Sequence, residues 1–438
     1  MLDVVPNAVG RLRVDGSRYF SLDEIKREAP SLSEGTVPNF SQVTRDLHTL
    51  NELPDREITP TIQPGVQPGT VDVDLKVKDQ FPLHGSLELN NRYSANTTEL
   101  RLNGAISYDN LWQLGHSIGT SFQVSPEDLS QVKAFSGYYL ARIPEVNWLS
   151  FILQGTDQNS TVNTGTTGGS NEVGKGETIG GRMVITLPSK PNFFQSISLG
   201  FDYKHNNQDV TTALGTNFYH TPVTYYPLSA YYSGTWVVKG VSETDLNAGV
   251  TANVGAISSS ESEFTLNRYG ASSNFIYFRG DLSHTHELGD GFQAFAKIQG
   301  QASDEPLISN EQLSVGGLGT VRGYLESEAL GDNGLLGSVE LRSPSLTSLI
   351  GPSVDEWRFY IFGDWGLVGI NQQLVGVPNT FQLASVGAGT RLKMLGHLNG
   401  SLDAAVPLDA QGPPLPGNYN PSVKAYSTHL TFRLWADF

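Results

Sequence analysis

The 438-residue chain has no cysteine, little charge and no long hydrophobic run. Without cysteine it has no disulfide framework, thiolate metal site or cysteine nucleophile. No stretch reaches the roughly 18 consecutive apolar residues of a transmembrane helix, which excludes a helical membrane protein. Charged residues make up 16% of the chain and aromatic residues 10%. This balance is typical of a transmembrane β-barrel, in which lipid-facing and lumen-facing side chains alternate.

Basic residues are also scarce. Lysine and arginine number 28 against 44 aspartates and glutamates, so the net charge is −16. With no basic cluster, the sequence argues against nucleic acid as a partner. The first ten residues lack the basic segment and the apolar core of a signal peptide. We therefore expect that the chain lacks its native N terminus.

The sequence contains no recognisable catalytic or nucleotide motif. Neither a G-x-S-x-G elbow nor an H-E-x-x-H pair occurs. The glycines at Gly316–Gly319 lack the spacing and the following helix of a phosphate loop, which favours simple loop flexibility. His284 and His286 lie two apart and could bind a metal, but their position near a strand end favours the membrane interface. The sequence predicts no enzyme, no cofactor and no metal.

Residues 11–79 predict a small α/β domain after a residual linker at residues 1–10. The expected order is β-α-α-β-β, enough for one small core. Ser21 with Glu24 three residues later predicts a capping box at the first helix. The other elements are a strand at Arg11–Asp15, a helix capped by Asn39 with Val43, Leu47 and Leu50 on one face, and strands at Arg56–Gln63 and Thr70–Val77.

From residue 82 to 438 the helical period disappears and strict alternation takes over. In the last run, Leu430, Phe432 and Leu434 share one face while Thr431 and Arg433 share the other. Sixteen such runs predict a mainly β fold with a 16-stranded antiparallel transmembrane barrel. An even number of strands lets such a barrel close without an unpaired edge. The runs lie near 83–93, 98–109, 116–124, 133–143, 147–156, 178–188, 194–206, 224–236, 242–254, 274–287, 292–303, 334–344, 356–367, 382–395, 397–408 and 427–438.

The connections and the aromatic residues agree with a barrel in the bacterial outer membrane. Long connections, such as 157–177, 207–223, 255–273, 304–333 and 409–426, alternate with short turns, as extracellular loops alternate with periplasmic turns. Phe438 is expected to be a C-terminal assembly signal. An aromatic girdle at the membrane surface is expected from Trp148, Trp357, Trp365 and Trp435.

Several short motifs resemble those of the two-partner secretion transporters, the TpsB family that secretes haemolysins and filamentous haemagglutinins. The N-terminal domain resembles that family's POTRA module. The family is part of the POTRA-barrel superfamily. The sharpest matches are the tetrad Val321-Arg322-Gly323-Tyr324 and the run Phe362-Gly363-Asp364-Trp365-Gly366. Weaker matches are Asn39-Phe40, Arg45-Asp46-Leu47, Leu50-Asn51, Pro54-Asp55-Arg56, Gly85–Asn91, Asp109-Asn110-Leu111, Gly115-His116 and Ser125-Pro126-Glu127.

The resemblance implies that loop 304–333 folds into the lumen, where Arg322 at its tip pairs with Asp364. Strand parity supports this independently, because Phe359, Ile361 and Trp365 share the lipid face and Asp364 therefore points inward. An arginine and a carboxylate form a good latch, since their geometries match. The latch could serve transport or only folding. Without the second motif around Asp364, Arg322 would be interpreted as a solvent-exposed arginine of the loop.

The function implied by the resemblance is export without nucleotide. The POTRA domain, in the periplasm, would capture an unfolded TpsA-type exoprotein at a sheet edge and feed it through the lumen. Other partners would be outer-membrane lipid, lipopolysaccharide and the barrel-assembly machinery, with the protein a monomer. An insertase of the same superfamily and a diffusion porin are alternatives. The capture residues implied are Asn39, Phe40, Leu47, Leu50, Asn51 and Arg56.

The chain departs from the family in one respect. Its members usually carry a signal peptide, a plug helix, a linker and two POTRA domains, whereas one POTRA domain is readable here. We expect from this that the chain lacks its native N terminus, which puts gating by a plug helix in doubt.

Overall fold

A computed structural model gives the fold of the chain. It describes residues 7–51, 53, 55–95, 97–143, 146, 148–159, 162–163, 171–172, 175–188, 190, 192–211, 218–347, 351, 353–372, 378–409 and 423–438. Pro54 of the Pro54-Asp55-Arg56 run and parts of the predicted loops 157–177, 207–223 and 409–426 lie outside these residues. Within the described part of the chain, no helix is long and apolar enough to cross a membrane.

Two compact units divide the chain. The first comprises the N-terminal residues through His84 together with 106–119 and 139–150, and the second comprises the remainder. In the first unit, the strand Thr70–Asp79 is the centre of a three-stranded sheet, parallel to Ala8–Asp15 and antiparallel to Arg56–Pro64. The elements are β1 Ala8–Asp15, α1 Leu22–Arg27, a 3-10 turn at Pro30–Leu32, α2 Phe40–Leu50, β2 Arg56–Pro64 and β3 Thr70–Asp79.

The apolar face of α2 explains the core of this unit. Val43 and Leu50 are buried and Leu47 packs against them, as their helical spacing predicts. Arg56 is buried beside them, where its Nε donates to the backbone oxygen of Leu50 at 2.8 Å and its guanidinium pairs with Glu28. The buried set is Val9, Leu12, Phe20, Ile25, Ala29, Leu32, Val43, Leu50, Leu53, Ile58, Val73, Leu75 and Val77.

The predicted capping box at α1 is wrong. Ser21 occupies the N-cap position, but its side chain makes no capping hydrogen bond. In a capping box, Glu24 would accept a hydrogen bond from the Ser21 backbone N–H. That N–H donates instead to Oε1 of Gln113 at 2.8 Å. Glu24 pairs with Arg27. A tertiary contact thus replaces the local cap.

Asp79 closes the end of β3 by accepting three hydrogen bonds. The backbone N–H groups of Arg18 and Tyr19 each donate to its Oδ2 at 2.8 Å, and the Ser17 hydroxyl donates at 3.1 Å. Burial alone would raise the pKa of Asp79, but these donors outweigh it and lower the pKa below its ordinary value. The carboxylate therefore stabilises this corner at neutral pH.

This lowered pKa predicts a pH dependence. The stabilisation exists above the unfolded-state pKa, about 4, and is lost as pH falls through the lower folded-state value. In Asp79→Asn, we expect the amides of Arg18 and Tyr19 to exchange hydrogen about fivefold faster at pH 7, the equivalent of about 1 kcal/mol. At pH 3 or below the difference should shrink, and hydrogen-exchange mass spectrometry of the full chain measures both. Equal protection at pH 7 would contradict this account.

The barrel strands follow the N-terminal sheet. They are β4 Leu83–Asn90, β5 Arg101–Leu111, β6 His116–Val124, β7 Lys133–Arg142, β8 Leu149–Asn159, β9 Lys175–Thr186, β10 Phe193–Thr211, β11 Phe218–Tyr225, β12 Leu228–Val238, β13 Ser242–Asn253, β14 Phe275–Gly289, β15 Phe292–Ser303, β16 Asn333–Arg342, β17 Val354–Gly369, β18 Thr380–Met394, β19 Leu398–Pro407 and β20 His429–Asp437.

These strands form one closed barrel. β10 pairs with β11 along one part of its length and with β12 along the rest, so those two segments are one strand interrupted at Pro227. Among the described residues the barrel therefore has sixteen strand positions, which confirms the predicted number. The prediction of 207–223 as a loop is wrong in part, because residues 207–211 and 218–223 extend the strands.

The loop predicted at 255–273 also contains regular structure. The helix α3, Glu261–Asn267, begins at Ser260. Ser260 accepts from the backbone N–H of Glu263, whose side chain accepts from the Ser260 backbone in return, so this helix has a true capping box. Two strands of the barrel bound the loop, and the alternating pattern gave no sign of the helix between them.

Strand alternation sorts the side chains as predicted, but one residue of the predicted aromatic girdle is wrongly assigned. Along β17, Phe359, Ile361 and Trp365 are exposed outward, while Asp364 is buried on the lumen side. Trp435 does not belong to an outward girdle. It shares the parity of Arg433, whose guanidinium carbon lies 4.7 Å from the centroid of its ring, so it faces the lumen.

The barrel closes between its first and last strands. β20 pairs with β4 from Arg433 opposite Asn90 to Asp437 opposite Ser86. Beyond that register, Gly85 and Phe438 exchange two backbone hydrogen bonds of 2.7 and 2.9 Å. The Phe438 ring covers Gly85, since a Cβ atom there would come 2.4 Å from the ring. Backbone and aromatic contacts thus seal this edge.

Candidate functional site

Arg322 lies at the tip of the inward-folded loop, buried among carboxylates. Its Nε and Nη2 donate to the two carboxylate oxygens of Asp364 at 2.7 and 2.8 Å, and its backbone N–H donates to Asp364 at 3.0 Å. Its Nη1 donates to Glu340 at 2.7 Å and lies 3.6 Å from Asp403. One side chain thereby joins the loop to β16, β17 and β19.

Strand register presents these carboxylates to the loop. Glu340, Asp364 and Asp403 occupy inward positions, and each is buried. Ser338 lies opposite Asp364 in the ladder, and its hydroxyl donates to Asp364 at 2.7 Å. The Tyr360 hydroxyl donates to Asp403 at 2.8 Å. These hydrogen bonds orient Asp364 and Asp403 independently of the arginine, in positions that suit a guanidinium.

The face of the guanidinium is also covered. Its central carbon lies 3.5 Å from the centroid of the Phe362 ring, a stacked cation–π contact. A lysine at position 322 would keep the charge but lose the planar fork and the stacking. The site therefore selects arginine by shape as well as by charge.

The other residues of the predicted tetrad pack around the arginine. Val321 is fully buried, and the Tyr324 hydroxyl lies 3.0 and 2.8 Å from the backbone oxygens of Ala384 and Asp409. Gly323 has a φ of +89°, and a Cβ there would lie 3.1 Å from that of Ala405. Only glycine combines this backbone conformation with so close an approach.

Gly366 lets the loop pack on β17. A Cβ atom at this position would come 2.8 Å from Val315 and from Leu336 and 3.1 Å from Val321. Leu336 can rotate away, but the two valines of the loop are stiff at χ1. The glycine in the predicted Phe362–Gly366 run therefore provides space for the loop.

We expect Gly366→Ala to loosen the loop from the barrel wall, because overpacking costs about 1–3 kcal/mol. Since the chain has no native cysteine, maleimide labelling of Thr320→Cys reports access to the loop tip, and its rate should rise. Gly363→Ala is the matched control, as its Cβ would meet only Val339 at 3.9 Å. Equal labelling in the two variants would refute the packing argument.

A second buried charge fixes the stem of the loop. Glu311 accepts hydrogen bonds on Oε1 from Lys204 at 2.7 Å and Tyr225 at 2.6 Å, and on Oε2 from Tyr277 at 2.8 Å. The carboxylate is enclosed by an apolar cluster of barrel and loop residues. Removing it would break the ion pair with Lys204 and both tyrosine hydrogen bonds.

Asp332 anchors the other end of the loop. It is fully buried and accepts two hydrogen bonds of 2.9 Å from the guanidinium of Arg268. It also accepts from the backbone N–H of Leu307 at 2.9 Å and of Asn371 at 2.8 Å. Neither Glu311 nor Asp332 was predicted as a site residue. The sequence marks Asp332 only by its glycine-rich surroundings.

The glycines at Gly316–Gly319 belong to the loop tip. Gly316 and Gly317 have φ values of +106° and +95°. The Gly316 N–H donates to the Thr320 hydroxyl at 2.9 Å, and the Leu318 N–H donates to Glu326 at 3.2 Å. The Glu326 carboxylate thus accepts from a backbone N–H that a phosphate loop would offer to phosphate. This agrees with the interpretation that these glycines only provide loop flexibility.

The structure separates the predicted capture residues of the N-terminal unit. Asn39 and Phe40 are exposed at the start of α2, whereas Leu47, Leu50 and Arg56 belong to the interior. The Asn51 amide donates to the backbone oxygens of Leu47 and Ile58 at 2.9 and 3.0 Å and accepts from the Ile58 N–H. Four of the six residues thus maintain the fold, and two present a surface.

Two histidine arrangements bear on metal binding. In the first unit, His84 Nε2 lies 3.0 Å from an Asp55 oxygen and 3.5 Å from an Asp109 oxygen, and among the described residues this group has the spacing to hold an ion. The sequence missed it because three separate segments contribute. His284 and His286 stack at 5.8 Å on the outward face.

A closed antiparallel barrel with a loop pinned inside its lumen by a buried arginine defines a transmembrane β-barrel of the outer-membrane transporter class. Residues 69–392 match the model of the family described as haemolysin secretion/activation protein ShlB/FhaC/HecB. The chain belongs to this family of two-partner secretion transporters, which places it in the bacterial outer membrane.

Individual relatives agree. The heme/hemopexin transporter protein HuxB of Haemophilus influenzae is 24% identical over 92% of this chain and 70% of its own length. The outer membrane transporter CdiB of Dickeya dadantii is 23% identical over 71% of this chain and 55% of its own. In fold, the chain is similar to CdiB from Escherichia coli, with a TM-score of 0.73 and 20% identity over 99% of this chain and 77% of that one.

The same fold occurs in BamA. The Haemophilus ducreyi protein lacking POTRA domains 1–3 superposes with a TM-score of 0.63 and 14% identity over 99% of this chain and 85% of that one. This likeness concerns the fold alone.

Proposed function

We propose that the protein captures an unfolded TpsA-type exoprotein through its N-terminal unit, acting as a POTRA domain in the periplasm, and passes it through the lumen to the cell surface. The observation that carries the proposal is the Arg322 network, which holds a loop inside the pore by ionic contacts that can be exchanged. Folding of the exported protein outside supplies the driving force, without nucleotide. Phe438 serves as the assembly signal, and the protein works as a monomer.

Backbone hydrogen bonds already cover parts of the two edges of the N-terminal sheet, which limits where a substrate strand could pair. On β1, the Val9 N–H donates to Thr36 and the Val9 oxygen accepts from Gly35, so that edge is partly covered. On β2, Asn51 occupies the outward N–H and oxygen of Ile58. The edge of β2 beyond Ile58 is the better candidate.

Register identifies one free donor on that edge. Every second residue of β2 from Ile58 turns its backbone groups away from β3, namely Pro60, Ile62 and Pro64. The prolines have no N–H, so only Ile62 offers both a donor and an acceptor to an added strand. We propose that an extended substrate pairs with Ile62, with the exposed Phe40 on α2 as an apolar contact.

Ile62→Pro tests the proposal because it removes the donor without removing a bond of the β2–β3 ladder. The two neighbouring prolines indicate that the strand tolerates this residue. We expect binding of the secretion domain of the exoprotein encoded beside this protein to weaken about tenfold, as for the loss of one or two main-chain hydrogen bonds. Ile62→Ala, which keeps the N–H, should bind more tightly than Ile62→Pro. No binding by the folded wild-type chain would end the export proposal.

The insertase alternative requires the seam between the first and last strands to open. Here the seam carries a continuous register, and Arg433 donates across it to the two oxygens of Glu88 at 3.1 and 2.6 Å. These contacts support a barrel that transports through its lumen. A porin would have little use for the N-terminal unit.

A further inference from the structure

The lumen contains a cavity of about 330 Å³ beside the latch. Its walls come from β15, β16, β18, β19 and β20 and from the loop tip, including Gly319 and Thr320. Its charged lining consists of Lys297, Arg322, Arg342, Arg391 and Arg433 against Glu340 and Asp403. Cations therefore predominate here, although the whole chain carries a net charge of −16.

Pairing leaves this charge only partly neutralised. Arg322 is matched by Asp364 and Arg433 by Glu88, both outside the cavity lining. With these two carboxylates included, five cations face four anions. The set is one negative charge short of neutrality, which a single carboxylate would supply.

The excess charge is concentrated at two side chains. Among the described residues, none forms an ion pair or hydrogen bond with the side-chain ammonium of Lys297. Arg391 is half exposed and meets Glu340 only at 3.4 Å, while its guanidinium carbon lies 4.6 Å from the centroid of the Tyr360 ring. Stacking orients this guanidinium and leaves most of its N–H groups available.

Shared lining residues connect this cavity with the end of the barrel that carries the short turns. A second cavity of about 410 Å³ is lined by the turn residues Lys239, Gly240 and Val241 and shares Arg342 and Arg391 with the first. The two arginines thus lie between the turns and the latch. A chain entering from the turns would pass them before reaching Arg322.

We propose that this cavity binds a carboxylate of an extended polypeptide on its way through the lumen. Low-dielectric barrel walls strengthen the attraction of Lys297 and Arg391 for such a group. Aromatic side chains complete the lining: Phe295 and Trp435 hold the guanidinium groups of Arg342 and Arg433 by stacking at 4.6 and 4.7 Å. The inference rests on the proposed export function, because it assigns the cavity to a passing substrate.

Fluorescein-labelled hexaglutamate, measured by fluorescence anisotropy with the detergent-solubilised full chain, tests the site without requiring export. We expect saturable binding that weakens at least tenfold in Lys297→Gln/Arg391→Gln and falls with added salt. Hexaglutamine of the same length should bind at least tenfold more weakly than hexaglutamate. These results would support a carboxylate site.

Arg13→Gln/Lys78→Gln removes the same charge from exposed positions of the N-terminal unit and should bind hexaglutamate as the wild type does. Equal affinity in the lumen variant and the wild type would overturn the proposal, as would equal binding of hexaglutamine. A protein that exports its substrate but does not bind hexaglutamate would retain the proposed function and lose this site. Correct folding of the lumen variant is checked by its heat-modifiable migration on a gel, which should match that of the wild type.

Discussion

Arg322→Ala is expected to abolish export and free the loop tip from the lumen. The substitution leaves Asp364 buried without its guanidinium partner, and breaking a buried ion pair in this way costs roughly 3–5 kcal/mol. The loop then loses its strongest contact with the barrel wall. Export is measured by the exoprotein at the cell surface, and the loop by maleimide labelling of Thr320→Cys, which should accelerate at least tenfold.

Arg322→Lys separates charge from geometry. Lysine restores one positive charge but cannot donate to both oxygens of Asp364 and to Glu340 together, so labelling should lie between the wild type and alanine. Heat-modifiable migration distinguishes the two roles of the latch. A folded barrel with no export indicates a role in transport, whereas loss of the folded barrel indicates a role in assembly. Wild-type labelling and export in Arg322→Ala would show that the network does not hold the loop.

Glu311→Ala is expected to release the stem of the same loop. It removes the shared acceptor of Lys204, Tyr225 and Tyr277 and breaks the buried ion pair between Glu311 and Lys204. The cost should again be roughly 3–5 kcal/mol. Because the stem supports the tip, we expect faster labelling of Thr320→Cys together with increased hydrogen exchange over residues 304–315.

Glu311→Gln is the matched control for this prediction. The amide oxygen can still accept from one tyrosine, but the charge that balances Lys204 is gone, so the effect should be smaller than that of alanine. If the alanine variant kept wild-type exchange over the stem while Arg322→Ala released the tip, the loop would depend on the tip alone. That result would contradict the assignment of Glu311 as an anchor.

Local sequence rules predicted much of the barrel. Alternation gave sixteen strands and turned Asp364 inward, because side chains in a strand reverse face at every residue. The same rule, applied to Trp435, would have placed it in the lumen beside Arg433. Its assignment to a girdle followed residue type instead of parity.

Other features depend on contacts that no local pattern encodes. The Ser21 N–H has a partner 92 residues away, so the capping motif around it was misleading. Glu340 and Asp403 join Arg322 only when three strands are assembled around the loop. Parity alone indicates that both face inward, but it does not indicate which of many lumen carboxylates the arginine meets.

The proposed function is tested most directly by depleting the protein in its native cell. The exoprotein at the surface and the amounts of unrelated outer-membrane barrels are then measured together. The account predicts that the exoprotein disappears from the surface while the other barrels keep their normal levels. A general loss of outer-membrane barrels, with the exoprotein falling only in proportion, would contradict export and favour an insertase.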